Sequence, residues 1–409
     1  MNDTMLFRQI FPPPHDDAKP SRFGGLPLVG PDFVWPRGRL ADGRERPLAF
    51  ILQLDCAAAP RGFGLPSSGL LQVFLDLDWG AGDGFRILHQ DAPPHSLRLA
   101  APPPEAGPLY GAETRFFFPW CLRDGADARA TFVLPRWPFA PVALTVPPQV
   151  DEDGEAFPYW PGSGLEARLA QAQGAPPPHA DWPSVGAPEP PFAAMPQDWR
   201  AVEWLAGEVL SRLRGVTPAE ALKMAGLAPA PPPHDPYAQG ARLLAEQRAS
   251  ADDWLRRAAA RDPFEAVADD ERAAFRAWLA ALPGMKGYYF TTPAMKSLEQ
   301  SLAASPQAAA RVPPEALPKL AARHAFAIDM REGEKMFVRT PVRMFGPPSC
   351  VQNAASEMLE ESDKTLFLEL GGDEALGHYF GEGVYQFWIS PADLAARRFE
   401  RVVLTRDAY

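Results

Sequence analysis

The sequence is poor in the residues that build metal and disulfide frameworks. Three cysteines in 409 residues, Cys56, Cys121 and Cys350, stand far apart and form no C-x-x-C pair. That excludes a zinc ribbon and a disulfide scaffold as organising devices. The seven histidines, His15, His89, His95, His179, His234, His324 and His378, form neither H-x-x-x-H nor H-E-x-x-H. No metal and no cofactor is therefore expected. Basic residues are also in deficit: 40 Lys and Arg against 51 Asp and Glu give a formal charge of −11. Nucleic acids and anionic membrane surfaces are held mainly by Lys and Arg, so neither is an expected partner, whereas a protein with a basic surface would be steered in. No run approaches the roughly 18 apolar residues of a membrane span. The first residues lack the basic segment and apolar core of a secretory signal, so a cytoplasmic protein is expected.

Nucleophile and phosphate-binding motifs are missing too. Gly64-Leu-Pro-Ser67-Ser68-Gly69 and Pro161-Gly-Ser-Gly164 do not have the G-x-S-x-G spacing and read as turns. No G-x-x-x-x-G-K-[ST] occurs, and Gly80-Ala-Gly82-Asp-Gly84 is not spaced as a dinucleotide loop. Asp76-Leu-Asp78-Trp-Gly80 begins like a calcium loop, but its twelfth position is Ile87, which supplies no carboxylate. No catalytic residue is assigned.

What the chain has in excess is proline. There are 49, about 12% against an average of about 5%, and 32 of them fall between Pro12 and Pro196. Proline fixes φ and removes a backbone donor, which excludes a long helix bundle there. Short apolar runs bounded by Pro and Gly predict strands at Leu48–Leu54 and Gly69–Leu75, and two more at Thr131–Leu134 and Val142–Val146 are each closed by a proline. Pro102–Pro104 and Pro176–Pro178 read as extended loop. After Gln197 the composition turns to Ala, Leu, Arg and Glu. Asp198 predicts an N-cap, followed by Val202, Leu205, Ala206, Val209, Leu210 and Leu213 on one helix face, with Gly215 at the stop. Thr217-Pro-Ala-Glu220 is a capping box, and Asp262-Pro-Phe-Glu265 predicts a second one before the helix of Phe275, Trp278 and Leu282. Further helices are expected over Arg242–Ala259, Leu298–Leu302 and Leu317–Leu320. β character returns after Lys335, with Ser390-Pro-Ala-Asp393 capping a short helix before the last strand.

The second β region echoes the first. Gly383-Val-Tyr-Gln-Phe-Trp-Ile389 lies over Gly69-Leu-Leu-Gln-Val-Phe-Leu75 at an offset of 314 residues. The same offset puts Phe399 on Phe85. A three-residue slip puts Thr365–Leu370 on Leu48–Gln53, with Phe367 on Phe50. The expected fold is α+β: mainly antiparallel β in two duplicated halves with a helical insertion between them. The parts are a tail at 1–20, a first β half with its Pro-rich connector at 21–195, a helical insertion at 196–330 and a second β half at 331–409.

Gln53, Gln72, Glu369 and Gln386 sit inside otherwise apolar strands. A buried amide or carboxylate left unpaired costs about 1–3 kcal/mol, so each needs partners. If the halves come together these four line one cleft, with Glu382 and His378 near them in sequence, and form a ligand site. The other reading is that they bond to one another or to sheet ends and hold the halves in register. Trp35, Trp79, Trp120 and Trp388 read as core or rim aromatics.

The same residues resemble the YwqG-like family, bacterial proteins classed as a domain of unknown function. The resemblance rests on Arg22-Phe-Gly-Gly-Leu-Pro-Leu28, Trp35-Pro36, Pro47–Asp55 and Leu65–Leu75. It continues through Phe345-Gly-Pro-Pro348, Gln352, Leu366–Leu370, Gly381–Ile389, Asp393-Leu394 and Arg398-Phe399. Glu369 departs from a glutamine usual in the family, and Glu382 from a frequent aspartate. The resemblance implies a mostly β, internally duplicated fold and no particular reaction. Members found beside secreted-toxin genes imply an immunity-type role. The function expected is a cytoplasmic, non-catalytic protein that holds a protein partner. The rival is a small-molecule or carbohydrate-binding module, or a hydrolase, working from the cleft between the halves.

Overall fold

Apolar runs framed by turn residues do become strands. Ala49–Asp55, Leu70–Leu75, Thr365–Gly371 and Val384–Ile389 are buried along almost their whole length. The computed structural model describes residues 2–15, 20–39, 43–77, 84–106, 133–146, 192–231, 234–282, 288–324, 330–331, 334–335, 342–350, 352–373, 376 and 383–407. These divide into two compact units, one from 1–109, 127–180 and 321–409, the other containing 181–320.

The first unit holds a ten-stranded sheet. In chain order its strands are β1 (Asn2–Gln9), β2 (Arg22–Phe23), β3 (Ala49–Asp55), β4 (Leu70–Leu75) and β5 (Phe85–Gln90). After them come β6 (Trp137–Val146), β7 (Arg343–Met344), β8 (Thr365–Gly371), β9 (Val384–Ile389) and β10 (Val403–Asp407). Across the sheet they run β10-β9-β8-β7-β1-β6-β2-β3-β4-β5, and all pairs are antiparallel. The sheet curls until its ends face each other: the ring of Phe85 on β5 lies 5.4 Å from that of Phe387 on β9. Phe7, Phe23 and Phe139, with centroids 4.4 to 6.3 Å apart, fill its middle.

The sheet departs from the sequence expectations in three places. Residues 2–9, read as a tail, form a central strand, because Met5, Leu6 and Phe7 are an apolar run long enough to bury completely. The strand expected at Val142–Val146 does end before Pro147, but β6 starts at Trp137 and runs through Pro138 and Pro141. Phe139 N donates to Ser21 O, so odd residues of β6 bond on the β2 side. β2 pairs with Trp137 and Pro138, and among the described residues no strand lies on that side of Pro141 to miss its N–H. Pro138 faces β1, where Ile10 N donates to its carbonyl. The bond that Pro138 cannot return to Ile10 O comes instead from the Trp137 indole Nε1, at 3.1 Å. Of the predicted strand 131–134, residues 131–132 lie outside the described residues, and 133–134 are not in a strand.

The second unit is helical. Its helices are α1 (Trp199–Arg214), α2 (Pro218–Met224), α3 (Ala238–Ala259), α4 (Asp269–Ala281) and α5 (Tyr288–Ala304). Short helices follow at Pro306–Ala309 and Leu317–His324. Asp198 caps α1 by accepting from Ala201 N, and the Thr217–Glu220 capping box is complete. The box expected at Asp262 does not form, and α4 starts only at Asp269. The segment is used otherwise: Trp199 N donates to Glu265 O and Arg200 N to Pro263 O, serving the open N-terminus of α1. Trp254, Phe275 and Trp278 pack with centroids 4.9 to 6.1 Å apart, and the Arg257 guanidinium lies 4.0 Å from the Trp254 ring. Among the described residues no helix is long and apolar enough to cross a membrane.

Asp198 is buried, and its carboxylate accepts from Ser301 Oγ at 2.6 Å and Ala201 N at 3.0 Å. Burial outweighs these bonds and pushes its carboxyl up to about 6 from 3.8. The folded state therefore holds the proton more tightly than the unfolded chain. This contribution to stability is complete below about pH 4 and is lost as pH rises through 6. Asp198→Asn keeps a capping oxygen and removes the charge. In urea titrations followed by tryptophan fluorescence, the wild type should lose stability between pH 4 and 7 relative to the variant. The difference expected at pH 7 is on the order of 3 kcal/mol.

Candidate functional site

Gln53 and Gln72 lie opposite each other on β3 and β4, and Glu369 and Gln386 opposite each other on β8 and β9. All four are fully buried. Each pair bonds to a strap of main chain that leaves the short strand beside it. In the first pair Leu28 N donates to Gln53 Oε1 at 3.0 Å, and Gln72 Nε2 donates to Leu28 O at 2.6 Å. Gln53 Nε2 also donates to Pro20 O. In the second, Ser349 N donates to Glu369 Oε2 at 2.8 Å, and Gln386 Nε2 donates to Ser349 O at 2.6 Å.

The surroundings correspond as well. Arg22 of β2 stands opposite Gln53, and Arg343 of β7 opposite Glu369. Both straps begin with left-handed backbone, at Gly24 and Gly25 in one and Phe345 and Gly346 in the other. A side chain at Gly24 would strike the Pro135 carbonyl, so glycine is required there. Gly24 N donates to Ile51 O, and Phe345 N to Phe367 O. Both hairpins carry a register shift at that residue, at Ile51 and at Phe367. Phe367 thus matches Ile51, one residue away from the alignment read in the sequence. Phe399 does not match Phe85 either: it opens a 3₁₀ turn, Phe399–Arg401, ahead of β10.

The sequence-derived residues therefore form two nodes, Gln53 with Gln72 and Glu369 with Gln386, each spent on its own strap. Glu382 and His378 lie outside the described residues. The nodes differ in charge. In the second, Arg343 Nη2 donates to Glu369 Oε1 at 2.8 Å, both side chains fully buried, and Ser349 Oγ donates to the same oxygen. Of the tryptophans, Trp388 is buried, Trp35 donates to Leu48 O and packs on Phe74, and Trp79 and Trp120 lie outside the described residues.

The concave surface of this unit is elsewhere. A groove of about 970 Å³ runs beside β5, lined by residues 30–34, 87–93 and 96 and by Arg397, Phe399 and Glu400. Its walls come from opposite faces of the strand. On one face Leu88 packs with Phe33 and Trp35, and Gln90 Oε1 accepts from Gly30 N. On the other the His89 ring meets the Phe399 ring, 6.2 Å between centroids. Val34 stands at the lip, 82% exposed. No motif announced this groove; its only sequence signal was the turn chemistry around Gly30-Pro-Asp32.

Two of the groove's lining residues, His89 and Asp91, lie beside Ser68 in a tempting order. The Ser68 hydroxyl, however, donates to Asp91 Oδ1 at 3.2 Å, while His89 Nε2 donates to the Ser68 carbonyl at 2.9 Å. The imidazole therefore faces no hydroxyl it could activate. Burial pushes the Cys56 thiol up to about 11, which keeps it protonated near neutrality. Among the described residues no three His, Cys, Asp or Glu side chains gather to hold a metal ion.

A family model described as a domain of unknown function, DUF1963, matches residues 21–101 and 265–408, together more than half of the chain. These segments contain both nodes and every residue lining the groove. No curated protein matches the chain.

The charged node makes a direct prediction. Glu369→Gln leaves the buried Arg343 guanidinium without its counter-charge and should cost about 3–5 kcal/mol. Combining it with Arg343→Met removes the stranded charge and should recover most of that loss. Urea midpoints of the two variants against wild type check this.

Proposed function

Because the chain belongs to the DUF1963 family, as its YwqG-like motifs implied, its role has to be read from the surface its fold builds, and we propose that it is a non-catalytic binding protein that seats a basic protein partner in the groove beside β5. The carrying observation is the groove itself, a long slot whose lip exposes Val34 and whose rim sets Asp32, Asp91 and Glu400 against Arg397. Its acidic rim agrees in sign with the net charge of −11. The bonding of Ser68 and His89 supports binding rather than hydrolysis. Neutralisation of a toxin, the immunity-type role that the resemblance implies, is one form of such stoichiometric binding.

We further infer that the two β regions are a duplication with the helical residues inserted between them. The matching straps, arginines and register shifts around Gln53–Gln72 and Glu369–Gln386 support this reading. On it, the groove is an elaboration of the first copy, made where the chain after the strap continues as residues 30–34. The buried thiols of Cys56 and Cys350 agree with a reducing compartment, and we place the binding in the cytoplasm.

Site-specific photo-crosslinking tests the site. A photoreactive side chain at Val34 should trap one protein in cells, and one at Tyr237 on the helical unit should not. The trapped protein, purified, should bind the full chain in solution. Asp32→Lys with Glu400→Lys should weaken that binding by about tenfold or more while leaving the circular dichroism unchanged. An adduct from Tyr237 alone, or none from Val34, rejects the groove.

A further inference from the structure

On the reading that this groove is the binding site, we infer how the partner enters it: an extended, basic segment adds as a new strand to the free edge of β5. The ladder shows which groups are available. Asp76 N donates to Gly84 O, and β5 pairs with β4 in register from Leu75–Phe85 to Leu70–Gln90. In an antiparallel ladder alternate residues bond to the neighbour and the others point away. Gly84, Arg86, Leu88 and Gln90 therefore bond to β4, and Phe85, Ile87 and His89 turn their N–H and C=O groups outward. β5 ends the sheet, so among the described residues no strand lies on that side. At one end Arg86 Nη1 donates to the Phe85 carbonyl. Among the described residues nothing bonds to the outward groups of Ile87 and His89, and both residues line the groove.

Exposed strand edges are normally blunted by lysine, proline, a bulge or a covering loop. Here the edge is the floor of an open groove, with walls at 30–34 and 397–400, and Ile87 is only 6% exposed. Main-chain groups along such a floor favour a guest that bonds to them. A helix satisfies its own main chain internally and is about 10–12 Å wide. An extended chain instead offers alternating N–H and C=O groups to the edge and alternating side chains to the two walls. Asp32 stands on one wall, Glu400 on the other and Asp91 at the end of the strand, so side chains of either parity meet a carboxylate. That arrangement selects lysine or arginine on the guest.

The test uses the full chain and two blocked heptapeptides, one alternating lysine with valine, the other glutamate with valine. Proline is tolerated on an edge strand where its missing N–H faces outward, so His89→Pro removes one edge donor and spares the ladder to β4. His89→Ala removes the same ring and keeps the N–H. The lysine peptide should bind, and His89→Pro should weaken it about tenfold more than His89→Ala. The glutamate peptide should not bind. In the unmodified protein, hydrogen exchange at the Ile87 and His89 amides should slow when the lysine peptide is added. Equal weakening by the two variants, equal binding of the two peptides, or unprotected amides would each overturn strand addition. If a partner still crosslinks from Val34 while these amides stay unprotected, the groove stands as the site and strand addition alone falls.

Discussion

Main-chain amides at Leu28 and Ser349 hang from side chains on the neighbouring hairpins, and the β unit is arranged around those two attachments. Each places a polar residue in the middle of two adjacent apolar strands, where an unanswered amide would be destabilising. The strap answers it, and the strap gains a fixed course in return. At Leu28 that course leads directly into residues 30–34, held further by Gln90. One wall of the groove therefore depends on Gln53, Gln72 and Gln90.

The two attachments use different chemistry for the same geometry. Around Leu28 the bonds run through neutral amides, and around Ser349 through a carboxylate balanced by a buried arginine. A neutral amide node tolerates modest distortion, because breaking one bond strands no net charge. The ionic node is less forgiving, since either partner alone is an uncompensated ion in a dry interior. The neutral node is the one whose strap continues into the groove.

Much of the architecture is legible in the sequence because its causes are local. Apolar runs flanked by Gly and Pro mark β3, β4, β8 and β9, and the caps at Asp198, Thr217 and Ser390 follow from side chains two or three residues from the amides they serve. The polar residues inside those strands are legible as well, though only as groups requiring partners. Their partners are not: Leu28, in a two-residue strand, and Ser349, in an isolated bridge, lie 25 and 20 positions away from Gln53 and Glu369, and nothing in their identity marks them. The same limit hides β1, whose neighbours β6 and β7 come from distant parts of the chain, and the turn at Asp262, recruited by a helix start more than 60 residues earlier. The groove is the least legible part. It comes from loops meeting across a strand edge, and no periodicity records that meeting.

The indole of Trp137, standing in for the hydrogen that Pro138 lacks, has a consequence for what the centre of the sheet tolerates. Every residue of that parity on the first strand would present the same carbonyl, so the bond does not care which residue stands opposite. It does care what stands at 137. A phenylalanine there would fill similar space and leave the Ile10 oxygen without its donor. One rung of the ladder has moved out of the backbone into a side chain, where a single codon can erase it.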